Sequence, residues 1–193
     1  MNVEPVTLFG KRVRLEPMTI EHVEPLARVG LDPELWRWIP TAVNDVEGMR
    51  TYVTIALDER TRGVSMPFVT VDQSNDRVIG STRYANIDRS NRRLEIGWTW
   101  LAPAYQRTGA NTEAKLLMLT HAFEVLEAIR VEFKTDALNA KSRAAIARIG
   151  ATEEGTFRSH LITQSGRVRD SVYFSIIDKE WPSVKARLVG LQR

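Results

Sequence analysis

The stretch from 94 to 137 constrains the fold more than any other part of the chain. LEIGWTWLA (94–102) and RVEFKTDA (130–137) have strand character, and between them LLMLTHAFEVL has the apolar spacing of an amphipathic helix. A helix that carries the chain back between two strands leaves them parallel in one sheet. Just upstream, SMPFVTVD (65–72) and RVIGSTRYANI (77–87) read as two more strands. Their linkers, QSND (73–76) and DRSNRR (88–93), are short and rich in turn formers, which dictates antiparallel pairing. One sheet must therefore accommodate both geometries.

The remaining segments extend that sheet and cover it. RVRLEP (12–17) alternates like a half-buried strand. Thr19 precedes a helix in IEHVEPLARVG, and Asn44 or Asp45 caps a second one that Gly63 ends. The long helix after the fourth strand is expected at about 111–128. Asn139 introduces AKSRAAIARIG, a short helix halted by Gly150. TFRSHLITQ and RVRDSVYFSI flank Ser165-Gly166 as a hairpin, and EWPSVKARLVG closes the chain as a helix. The expected fold is α/β (α+β): a mixed, mostly antiparallel sheet of about seven strands flanked by helices, in one domain over 1–193.

Composition removes several classes of function. Net charge is +3 and the pI about 9.4, but no concentrated basic stripe accompanies them, so no nucleic-acid partner is expected. No apolar run approaches the ~20 residues of a membrane span. The N-terminal MNVEPVTLFGKRVRLEP has no sustained apolar core, which argues against a signal peptide. There is no cysteine, and His22, His121 and His160 are scattered, so neither thiolate catalysis nor a metal site is expected. The expected compartment is the cytoplasm.

The junction QRTGANTEAK (106–115) sits between the fourth strand and the long helix. The first turn of a helix carries free backbone N–H groups and the positive end of the dipole, which attract anions. Gly109 permits close approach, Thr108, Asn111 and Thr112 add small polar groups, and Arg107 adds charge. Two readings stand: a cradle for a diphosphate, or an ordinary turn capped by Asn111 or Thr112. Phosphate loops of the GxxxxGK[ST] and GxGxxG kinds are absent.

In element order and in this turn the chain resembles the GNAT superfamily of acetyl-CoA-dependent N-acetyltransferases. Their signature at the junction is Q/R-x-x-G-x-G/A, and the chain reads Gln106-Arg107-Thr108-Gly109-Ala110-Asn111, departing only at Asn111. R-x-R-L-E-P at 12–17, TEA at 112–114 and NAKSRAAIARIGA at 139–151 resemble the RimJ/RimL-type branch. The resemblance covers about 8 to 182. It implies acetyl-CoA as co-substrate, no metal, and an amine acceptor: a protein N-terminal α-amine, or a small amine such as an amino acid, polyamine or antibiotic. It also implies a homodimer as a possible assembly.

The same resemblance assigns roles by residue. It implies a sheet splayed between the fourth and fifth strands, 94–102 and 130–137. The pantetheine arm would enter there and pair with backbone around Trp100 and Leu101, whose amides are candidate oxyanion donors. Residues 106–112 would hold the pyrophosphate. Asn139 would contact the pantetheine, Ser142 would stabilise or protonate the leaving thiolate, and Arg143 would reach a phosphate. Asn139 also reads as a plain helix cap. Glu95 would be the general base, with a salt bridge to Arg83 or Arg93 as the other reading. Alternation puts Glu95, Gly97 and Thr99 on one face and Ile96, Trp98 and Trp100 on the other. Trp36 and Trp38 either line an acceptor slot or staple their loop to the core. Tyr84 is a further acceptor-side candidate. A protein that binds coenzyme A without turnover is the alternative function.

Overall fold

A computed structural model describes residues 1–192. Its strands are β1 (Leu8–Phe9), β2 (Val13–Pro17), β3 (Met66–Asp72), β4 (Arg77–Asp88), β5 (Arg93–Leu101), β6 (Arg130–Asp136), β7 (Thr152–Ile162) and β8 (Val168–Ile177). The helices are α1 (Val23–Gly30), α2 (Val46–Thr61), α3 (Ala110–Thr120), α4 (Ala140–Arg148) and α5 (Trp181–Gly190). All eight strands form one open sheet in the order β1-β2-β3-β4-β5-β6-β8-β7. Only β5 and β6 pair in parallel; every other neighbour is antiparallel. The mixed sheet read from the 94–137 segment is therefore present. The eighth strand is β1, whose two residues are too few to carry a period.

Local signals account for most boundaries. The Asp45 side chain accepts from the Gly48 amide and caps α2, and Asn139 accepts from Ser142 to cap α4. Gly150, at φ +100°, lets the chain leave α4, and Gly166, at φ +78°, turns the β7–β8 hairpin. The long helix is shorter than its period suggests. α3 ends at Thr120 and widens into a single π turn at His121–Val125. The Met118 carbonyl, at that point, also accepts the Tyr84 hydroxyl at 2.6 Å.

Two apolar clusters sandwich the sheet. On one face Leu15, Phe68, Tyr84, Leu94, Ile96, Phe133 and Phe174 pack beneath α3 and α5. On the other, Val69, Val71 and Trp100 pack against Leu26 of α1 and Met49, Tyr52 and Val53 of α2. No residue of β6, β7 or β8 belongs to this second cluster. Among the described residues, the β6–β8–β7 end of that face is thus left without a helix packed on it.

One carboxylate ties the start of α3 to the N-terminal strands. Glu113, buried in the first turn, accepts the Lys11 amide at 3.0 Å and the Arg12 and Val13 amides at 2.7 Å each. A Cβ at Gly10 would fall 2.6 Å from its Oε2, so the chain can fold around the carboxylate only with glycine there. Glu113→Ala strands three amides without their charged acceptor. It should cost about 3–5 kcal/mol in urea unfolding at neutral pH. A loss under about 1 kcal/mol would mean that water replaces the carboxylate.

Candidate active site

The parallel ladder between β5 and β6 stops early. It joins Arg93 to Arg130, Leu94 to Val131 and Glu95 to Glu132, and no further. Beyond Glu95, β5 continues with β4 while β6 continues with β8, so the strands part. The splay expected between 94–102 and 130–137 is there, and it opens at Glu95.

A bulge lies just past the opening. Ser81 faces Trp100 and Arg83 faces Gly97, so Thr82 alone stands opposite Trp98 and Thr99. Trp98 takes φ +48°, a left-handed conformation that a bulky residue rarely adopts. The extra residue overturns the simple alternation read from the sequence. Glu95 and Gly97 share the α1/α2 side with Trp98 and Trp100, while Thr99 turns to the α3 side with Ile96 and Leu101.

Glu95 is buried, at 2% relative exposure. Neither arginine considered as its partner reaches it: Arg83 pairs with Glu59 at 2.9 Å, and Arg93 with Asp88 and Glu132. Asn86 donates to its Oε2 at 2.7 Å, and Lys134 Nζ lies 3.3 Å from the same oxygen. Oε1 points towards Gly97, where an added Cβ would come within 2.9 Å. An open cavity of about 580 Å³ starts here and runs over the uncovered β6–β8–β7 face, lined by Glu95, Glu132, Glu154, Tyr173 and Phe157. Its charges are compensated internally, Arg130 bridging Glu132 and Glu154.

His160 borders this region against Phe157 and Tyr173, with its Nδ1 buried and unpartnered. Burial lowers its pKa, the charges of Lys134 and Arg169 lower it further, and Glu95 opposes them. His160 lies 65 positions from Glu95 in the chain, and only the sheet order brings the two into one neighbourhood.

The turn at 106–112 has the features of an anion cradle. Arg107 at φ +62° and Gly109 at φ +91° place two left-handed residues around Thr108. The Ala110 amide meets Thr108 Oγ1 at a long 3.4 Å, and no side chain caps α3. Asn111 Oδ1 is buried without a partner. Gln106 braces the turn through the Leu101 carbonyl at 3.1 Å. Arg148, absent from the sequence reading, donates to Thr112 Oγ1 at 2.9 Å, and the Arg12 side chain flanks Gly109. These residues fit a diphosphate. Ser142 is half-buried at the start of α4, whereas Arg143 is spent on the Ala137 carbonyl and Glu153.

The aromatic candidates separate. Trp36 is a core staple: its Nε1 donates to the Gly30 carbonyl at 2.7 Å, and its ring packs on Tyr52 and Trp100. Tyr84 is wholly buried on the α3 side with its hydroxyl on Met118, so it meets no acceptor; burial raises its pKa. Trp38 is half-buried beneath Arg37 and Arg167, and Arg169 holds its carbonyl at 3.2 Å. Trp100 and Leu101 bury their side chains in opposite layers, leaving only backbone for the splay.

The parted strands thus open beside a helix start that no side chain caps. The chain matches the acetyltransferase (GNAT) domain family over residues 12–152 and belongs to it; it is an acetyltransferase. Bacillus subtilis YdaF, whose name marks it as a candidate ribosomal N-acetyltransferase, is 33% identical over 172 residues, 89% of this chain and 92% of its own. Mycobacterium smegmatis RimJ, solved in complex with CoA-disulfide, superposes with TM-score 0.85 at 26% identity, covering 98% of this chain and 96% of that one. A GCN5-related N-acetyltransferase from Brucella melitensis gives TM-score 0.90 at 29% identity, over 97% and 86%. Among the described residues no cluster has the makings of a metal site, and no helix is long and apolar enough to cross a membrane.

A second buried titratable group lies beneath the bulge. Lys115 of α3 is 7% exposed and donates to Thr99 Oγ1 at 2.7 Å, which in turn meets Thr82 Oγ1 at 2.7 Å. Burial pushes its pKa down to about 7. Between there and the unfolded value of ~10.4 the unfolded chain binds the extra proton. Stability therefore rises with pH across that window, and the penalty is fully present below it. Lys115→Met should be more stable than the parent at pH 6.5, with the gap closing towards pH 10 in urea titrations. Parallel pH profiles would show that the amine is hydrated after all.

Proposed function

We propose that the protein transfers the acetyl group of acetyl-CoA directly to a polypeptide N-terminal α-amine in a ternary complex. The observation that carries this reading is the position of Glu95, at the head of an uncovered sheet-face cavity with Oε1 towards Gly97. An open groove accommodates an extended chain end, whereas a small amine calls for an enclosed pocket. The names of YdaF and RimJ lend support from related chains.

The chemistry asked of these residues is modest. The amine nitrogen attacks the acetyl carbon, the carbon–sulfur bond breaks, and a proton must leave the nitrogen and reach the sulfur. Glu95 takes the amine proton, directly or through water, and Ser142, at the start of α4, serves the leaving thiolate. An α-amine, with a pKa near ~8 against ~10.4 for lysine, is already partly neutral at pH 7 and needs little help. Backbone N–H groups of the 99–101 stretch are the candidate donors to the developing oxyanion, the Ala102 amide being spent on the Ile79 carbonyl at 2.8 Å. The turn at 106–112, Arg148 and Asn139 hold the coenzyme. With no cysteine in the chain, an acetyl-cysteine intermediate is excluded.

Release of free coenzyme A should be followed over N-terminal peptides, the same peptides blocked at the N-terminus, amino acids, polyamines and aminoglycosides. Free N-terminal peptides should turn over fastest and blocked ones not at all. A small amine as best substrate would overturn the acceptor assignment, and binding of acetyl-CoA without thiol release would favour a sensor. Glu95→Gln should lower kcat about 100-fold and leave acetyl-CoA affinity unchanged. A fall in affinity instead would make Glu95 structural.

A further inference from the structure

Lys134 belongs to neither the coenzyme turn nor the core, yet it is the described cation that pairs with Glu95. We propose that Lys134 is a positioning residue for the reaction, holding the Glu95 carboxylate by one oxygen across the parted strands so that the other faces the acceptor. This rests on the reading of Glu95 as the base.

Backbone pairing between β5 and β6 ends at Glu95 and Glu132. Lys134 is two positions beyond Glu132 on the same face, the first β6 side chain past the last ladder contact. Its Nζ reaches back 3.3 Å to Glu95 Oε2 where no main-chain bond spans the gap. Asn86 approaches that same oxygen at 2.7 Å from β4, on the opposite side of β5. Two donors from the two flanking strands thus converge on Oε2. Rotation of the carboxylate would break both contacts, so Oε1 is kept towards Gly97.

Lys134 is itself confined. Its Nζ sits 6.0 Å from the Trp98 ring centroid and 5.7 Å from that of Tyr173, within cation–π range. Its side chain is 17% exposed. Arg83, also against the Trp98 ring, is engaged with Glu59 and offers Glu95 nothing. A charge added merely to offset a buried carboxylate has no need to share one oxygen with a second donor. Convergence on Oε2 is what a positioning role requires.

Four proteins test this: wild type, Lys134→Met, Glu95→Gln and the double variant, each assayed with the best acceptor in the panel, whatever its class. Lys134→Met should lose about 10- to 100-fold in kcat, the scale of a misplaced catalytic group, with KM for acetyl-CoA unchanged. Adding it to Glu95→Gln should cost no more than about twofold, because the group it positions is gone. Lys134→Arg keeps the charge and should retain more turnover than the methionine variant. The proposal is overturned if Lys134→Met keeps its kcat, if the losses multiply in the double variant, or if Arg rescues nothing. Those results with an impaired Glu95→Gln leave the base reading standing. A fully active Glu95→Gln removes the base reading and Lys134's role with it.

Discussion

Everything functional in this molecule depends on two strands that begin as partners and then part. Three residue pairs hold β5 to β6, after which each strand follows its outer neighbour. Main-chain N–H and C=O groups are obligate hydrogen-bonding groups, and those lining the gap must find water or a ligand. A cleft made this way cannot collapse onto itself, since each wall is pinned from behind by an antiparallel ladder. The gap is also narrow at its closed end, where Glu95 and Glu132 stand as the last pair.

The bulge gives that cleft its chemistry. A left-handed tryptophan costs on the order of 1–3 kcal/mol, and it persists only where its surroundings over-determine it. The Trp98 ring has the Arg83 guanidinium at 5.0 Å and the Lys134 ammonium at 6.0 Å, with Arg83 also over Tyr52. Its insertion sends Thr99 to the α3 side, where Lys115 and Thr82 secure it. The strand is thereby fixed on both faces immediately beyond Glu95. The reading of Glu95 as a base requires it to be held to within a fraction of an ångström, and this segment has little freedom left.

How much of this was legible in the sequence depends on the range of each interaction. Capping by Asp45 and Asn139, the stops at Gly63, Gly150 and Gly166, and the period change after Gly63 are local events, and they set the element order correctly. The turn at 106–112 was readable as a candidate cradle for the same reason, while Arg148 and Arg12, which reach it from elsewhere in the chain, were not. Pairings across the sheet were not. Glu95 meets Lys134 and Asn86 rather than the nearer-seeming Arg83 or Arg93, because strand order decides which side chains share a face. A single extra residue in β5 defeated the two-residue period, and no composition signal marks a tryptophan as left-handed. Glu113 and Lys115 look like ordinary polar helix positions, yet both are buried against the strands that α3 crosses.

The carboxylate of Asp136 ties the start of α4 to the loop that carries Trp38. It lies at the tip of β6, 1% exposed, and its Oδ1 accepts the Leu138 amide at 2.9 Å, shaping the approach to Asn139 and α4. Its Oδ2 accepts from Arg167, with Arg169 Nε 3.8 Å away. Arg169 in turn holds the carbonyl of Trp38, and Arg167 lies over the Trp38 ring. One buried anion therefore has the start of α4 on one oxygen and, through Arg167 and Arg169, the Trp38 loop on the other. Because a buried charge must keep its partners, movement of that loop would unbalance Asp136 and be felt at α4. The start of α4 and the Trp38 loop are thus referenced to a single buried point on β6, the wall that β8 pins from behind.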